Sequence, residues 1–71
     1  MGELKILSQM GAKIRDLRKK RRMTQNDLAF KCEFEKARLS RIETGQTNPT
    51  IRSLFKISNA LEVNLSELFA E

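Results

Sequence analysis

Seventy-one residues allow one domain with a modest core, close to the smallest size at which a chain folds unaided. There is no His, Trp or Tyr and a single cysteine, Cys32, which leaves no ligand set for structural zinc, no internal disulfide and no nucleophile–base pair for a small enzyme. Residues 1–56 carry 14 cations against 6 carboxylates, a balance of +8, and residues 57–71 carry three carboxylates and no cation. A basic body with an acidic end suits a polyanion, nucleic acid first, against the plainer alternative of a helical domain with charged faces.

A lone cysteine without a secretory leader pattern fits a reducing, cytoplasmic setting. No apolar run approaches the ~20 residues that span a bilayer. Ile6 stands where a myristoylation signal beginning at Gly2 needs a Ser or Thr. No membrane, metal or cofactor is therefore expected.

In chain order, residues 1–9 read as a tail or a helix extension, and 10–71 as the domain proper. From about Gln9 to Arg22, Met10, Ile14 and Leu17 recur at spacings of four and three, the mark of one apolar helix face. Thr24 followed by Asp27 resembles a capping box, with Asp for the usual Glu. It opens a second helix that runs to Lys31 or Cys32 with Leu28, Ala29 and Cys32 inward. Glu33-Phe34 is a tight connection to a third helix, Glu35 to Glu43, that buries Leu39 and Ile42. Thr44-Gly45 ends it, Gly45 being the expected left-handed residue. After the polar loop Gln46-Thr47-Asn48-Pro49, Thr50 caps a fourth helix with apolar Ile51, Leu54, Ile57 and Leu61. Asn64 or Leu65 starts a short fifth helix containing Leu68 and Phe69. Phe30 and Phe55 fall at partly buried positions, suited to packing or a partner contact more than to stacking on single-stranded bases. No strand pattern or repeat appears, so the expected fold class is all-α with five short helices.

The two helices between Thr24 and Gly45, separated by about three residues and crossing at small Ala29, have the layout of a helix-turn-helix. IRDLRKKRRMTQNDLA (14–29), RLSRIETGQTNPTIRSLFKIS (38–58) and ALEVNLSELF (60–69) together resemble the Cro/cI-like, or XRE-type, helix-turn-helix repressors over roughly residues 10–70. The resemblance implies a compact lambda-repressor-like DNA-binding domain. Its members bind double-stranded operator DNA, usually as two-fold dimers, and regulate transcription. It also implies that Arg18 and Glu43 pair across helices one and three, that Gln25 lies near a phosphate and braces the reading helix, and that the last helix and nearby surface pair two domains. Phe55, Leu65 and Phe69 are the candidates for that homodimer interface. Two departures stand out: Glu33 where the family often has Gly, and Glu35 where it more often has a small hydroxyl residue.

At about 100° per residue, Lys36, Ala37, Ser40, Arg41 and Thr44 share one face of helix three, opposite Leu39 and Ile42. Cations, hydroxyls and a methyl suit guanine acceptors, phosphate oxygens and the thymine methyl, so Lys36, Ala37, Ser40 and Arg41 are the candidate base readers. Glu35 could accept from cytosine N4 instead. Backbone contacts fall to Thr24 and Gln25 at a helix N-terminus, to Lys20, Arg21 and Arg22 at the end of helix one, and to Thr44, Gln46, Thr47 and Asn48. The plainer reading of each is a solvated face or a cap. A protein-interaction module, such as an antitoxin or adaptor reusing this fold, is the alternative function, and the acidic end would suit a protein partner.

Overall fold

The computed structural model of the protein describes residues 2–69 and consists of four α-helices and a terminal 3-10 turn. They are α1 (Gly2–Lys20), α2 (Gln25–Cys32), α3 (Lys36–Glu43), α4 (Ile51–Leu61) and the turn Leu65–Phe69. The all-α class is as expected, but the fifth helix is 3-10. Its geometry suits five residues that must seat Leu65 and Leu68 on one side, because three residues per turn align positions i and i+3. Leu68 is fully buried and Leu65 half-buried against the core.

α1 is longer at its start and shorter at its end than the apolar spacing indicates. It begins at Gly2 and stops at Lys20, with Arg21 and Arg22 in the turn that follows. Its buried face is Met10, Gly11, Ile14 and Arg18. α2 contributes Leu28, Ala29 and Cys32, α3 Leu39 and Ile42, and α4 Leu54, Ile57 and Leu61. These side chains and Leu68 form one continuous core, with Leu17, Met23, Phe34 and Val63 packed at its margin. Two expectations fail. Ile51 is 64% exposed, since at about 100° per residue it lies at the edge of the Leu54–Ile57–Leu61 stripe. Phe30 is 84% exposed, on the face of α2 opposite Leu28 and Cys32.

All four helices end alike. A residue in left-handed conformation follows the last turn: Arg22 (φ 58), Glu33 (φ 61), Gly45 (φ 77) and Glu62 (φ 59). In each case the next residue donates back across the turn: Met23 to Arg18, Phe34 to Ala29, Gln46 to Arg41 and Val63 to Ser58. This is the Schellman closure, which satisfies the orphan carbonyls of the last turn. Glycine adopts that conformation freely and other residues at a cost of about 1–2 kcal/mol. The helix starts are equally explicit. Thr24 and Asp27 complete the capping box, with Thr24 Oγ1 accepting from the Asp27 N–H at 3.0 Å and Asp27 Oδ2 from the Thr24 N–H at 2.9 Å. Hydrogen bonding from Thr24, its backbone N–H foremost and then its hydroxyl, holds the Asp27 carboxyl below its ordinary range. Thr50 caps α4 through the Ser53 N–H.

Gly11 has a separate task. A Cβ there would sit 2.4 Å from the Ile42 carbonyl oxygen and 2.5 Å from that of Glu43, so α1 rests directly on the backbone of α3's last turn. Gly11→Ala should destabilise the fold by about 1–2 kcal/mol net, an overpacking cost of about 2–3 kcal/mol outweighing the ~1 kcal/mol gained in helix propensity. A denaturant titration checks this, and a stability equal to or above wild type refutes the close contact. The opposite sign is expected where only φ matters: Glu33→Gly should stabilise by about 1 kcal/mol and raise the melting temperature by several degrees.

Candidate nucleic-acid interface

The framework of the site is a buried charge cluster at the C-terminal end of α3. Arg18 and Glu43 are 7% and 5% exposed. Arg18 Nε donates to Glu43 Oε2 at 2.8 Å and Nη2 to Oε1 at 3.1 Å, a bidentate fork that matches guanidinium to carboxylate. Arg18 Nη1 donates to the Met23 carbonyl at 2.8 Å, tying the turn before α2 to the same guanidinium. Gln25 Nε2 donates to Glu43 Oε1 at 3.0 Å. One carboxylate thus joins α1, the first residue of α2 and the last of α3. Two charges out of water are tolerable because these donors engage both carboxylate oxygens.

With Leu39, Ile42 and Glu43 facing inward, Glu35, Lys36, Ala37, Arg41 and Thr44 are exposed and Ser40 is half-buried. Among the described residues, no hydrogen bond or ion pair engages the side chain of Lys36, Ser40 or Arg41. Glu35 precedes α3 in extended conformation and its side chain caps nothing. Thr44 is already committed, its hydroxyl donating to the Ser40 carbonyl at 2.9 Å and leaning on that of Arg41 at 3.3 Å. Gln46 and Asn48 are exposed and Thr47 half-buried. Lys20 and Arg22 are exposed beside Arg21, whose guanidinium lies 3.3 Å from the Glu62 carboxylate at the far end of α4. That pair is exposed and worth less than about 1 kcal/mol.

The dimer candidates divide. Phe69 is half-exposed and lines an open groove of about 770 Å³ with Lys5, Ile6 and Met10 of α1. Phe55 is 54% exposed on α4 and does not line it. Leu65 is half-buried on the core.

The arrangement of two short helices set by a tight turn is matched by known proteins. The helix-turn-helix family matches residues 14–68. The chain belongs to the XRE-type helix-turn-helix family of DNA-binding transcriptional regulators. It is 44% identical to the HTH-type transcriptional regulator SlrR of Bacillus subtilis over 84% of the chain, spanning 40% of that protein's length. It is 35% identical to the control protein C.MunI of a Mycoplasma species over 100% of the chain and 95% of the relative. The solved restriction-modification controller protein C.AhdI from Aeromonas hydrophila superposes with a TM-score of 0.87 at 30% identity, covering 89% of this chain and 96% of that one. No described helix of this helix-turn-helix protein is long and apolar enough to cross a membrane.

Three residues that matter to the helix-turn-helix geometry went unread in the sequence. Gly11 gave a signal, a glycine inside a helical pattern, which marks close approach when it faces another element. Ser53 and Arg38 gave none: which polar groups of α3 and α4 meet depends on how the two helices are placed.

Truncating Glu43 to Ala would leave the Arg18 guanidinium buried and half-partnered. The side chains are 9% and 2% exposed, so the penalty belongs to the shielded class, about 3 kcal/mol. Thermal and urea unfolding of Glu43→Ala should show that loss, and a melt matching wild type would mark the pair as idle.

Proposed function

We propose that this protein is a sequence-specific regulator of transcription, acting as a repressor, that inserts α3 into the major groove of double-stranded DNA and binds a near-palindromic operator as a homodimer. The observation that carries this reading is the division of α3. Its inward face is fixed by Leu39, Ile42 and the Glu43 cluster, while Lys36, Ala37, Ser40 and Arg41 point outward. A rigid helix with an uncommitted donor-rich face is what direct readout of base edges requires.

Lys36, in the first turn of α3, reaches guanine O6 and N7, Ala37 meets a thymine methyl, and Ser40 and Arg41 add a base or phosphate contact. Glu35, at the entry of the helix, accepts from a cytosine N4. Thr24 and Gln25 at the start of α2, with Thr47 and Asn48 after α3, hold the phosphate backbone. Gln46 and Thr44 assist there, and Lys20, Arg21 and Arg22 add longer-range attraction. Gln25 is suited to couple the two functions, because its amide already bonds Glu43 and the side-chain oxygen remains as a further polar group. One α3 makes too few contacts for useful specificity, so two copies on a two-fold site are expected. Phe55 and Phe69, with Leu65, supply apolar surface for that pairing. Such a protein works in the cytoplasm on DNA, needs no cofactor and catalyses nothing.

Selection of preferred sites from random duplexes, run at two salt concentrations, tests the reading. A single near-palindromic sequence with a steep salt dependence is expected. An adaptor or antitoxin acting only through protein contacts yields neither. Lys36→Ala should relax the preference at one base pair of each half-site, a discrimination of about 1–3 kcal/mol. Uniformly weaker binding with an unchanged preferred site would make Lys36 a backbone clamp instead.

A further inference from the structure

α3 carries three cations, Lys36, Arg38 and Arg41, of which only Arg38 has its side chain tied into the described fold. At about 100° per residue, Lys36 and Arg38 lie some 200° apart, at opposite edges of the exposed face. The Arg38 guanidinium carbon sits 4.2 Å from the centroid of the Phe34 ring, in the turn between α2 and α3. Its Nη2 donates to Ser53 Oγ at 2.6 Å. Ser53 is 4% exposed in the first turn of α4 and does not move freely, since its N–H and Oγ are both bonded to the Thr50 hydroxyl at 3.1 Å. Lys56 Nζ, 5.9 Å from the same ring centroid, adds a second cation from α4. Three elements therefore meet at one guanidinium: the α2–α3 turn, α3 itself and α4.

We propose that Arg38 is a positioning residue for base reading, which sets the roll of α3 about its own axis so that Lys36, Ala37 and Ser40 address the base edges. Glu43, with Leu39 and Ile42, holds the inward side of the helix near its C-terminal end and leaves the far edge of the exposed face without a polar tie. Arg38 restrains the opposite edge. The task needs a planar guanidinium, which stacks on an aromatic face while donating in its own plane; an ammonium is a point donor with no plane to stack. The inference rests on α3 being the reading helix.

The test compares wild type with Arg38→Ala, Arg38→Lys, Ser53→Ala and Phe34→Leu in two measurements. Binding to the preferred duplex and its single-base variants is followed across salt concentration. The orientation of α3 against α4 is measured in the free protein by residual dipolar couplings. We expect Arg38→Ala and Arg38→Lys alike to lose about tenfold in discrimination, the scale of one base contact, with the salt slope unchanged and α3 rotated. Ser53→Ala, the mildest change, should show the same trend if Phe34→Leu unfolds. A salt slope lower by about one in Arg38→Ala and restored in Arg38→Lys would make Arg38 a phosphate contact and overturn the proposal. So would an α3 orientation identical to wild type in both Arg38 variants. If wild type selects no sequence, the reading of α3 as a DNA reader fails, and the couplings still decide whether Arg38 sets its orientation.

Discussion

Arg18 and Glu43 are charges that water would solvate well, and folding withdraws both. The withdrawal is tolerable because the fork of the guanidinium meets the two carboxylate oxygens and the remaining donors find Met23 and Gln25. Their geometry then constrains everything near the site. The carboxylate belongs to the last residue of α3, so the direction of that helix is set by where α1 places Arg18. The same guanidinium holds the carbonyl of Met23, which fixes where α2 begins, and α2 begins with Gln25, which returns to the carboxylate. A purely apolar contact would tolerate sliding; a bidentate ion pair does not.

Close approach of backbones complements the ion pair. Gly11 allows α1 to lie on the carbonyls of Ile42 and Glu43, and Glu43 is the residue whose carboxylate Arg18 binds. Polar anchoring and steric contact thus act on the same turn of α3. Four left-handed helix ends then keep every connection short, and three of them are occupied by charged residues that adopt this conformation at some cost. The α2–α3 turn is one of these, so its tightness comes from the backbone bonds of Glu33 and Phe34 and the packing of Phe34 rather than from a permissive glycine.

Much of this was legible in the chain. Capping residues Thr24 and Thr50, Gly45, and the apolar sets Leu28–Ala29–Cys32 and Leu54–Ile57–Leu61 act within a few residues of themselves, so spacing reveals them. Where local spacing misled, the residue lay at the edge of the apolar stripe, as Ile51 does, or on the opposite face, as Phe30 does. Ile51 and Phe30 are apolar residues that the core does not reach, and Leu65–Phe69 is too short for an α-helix to be its best solution. The outward set on α3 follows from helical period once Leu39 and Ile42 are known to point in.

By itself, then, the sequence determined the class of the fold, the order and approximate limits of its helices, and the helix whose outer face carries cations and hydroxyls. Those properties depend on local propensity, capping chemistry and the 3.6-residue period, all of which act over short stretches. Only the tertiary structure decided which polar groups meet across the domain. That Gln25 closes the cluster at Glu43, that Arg21 reaches Glu62 and that Arg38 reaches Ser53 are consequences of helix placement. They are separated in sequence by up to 41 residues, and hydrogen bonds have a reach of about 3 Å. No periodicity encodes a distance that short between helices whose crossing is set by the sum of the packing.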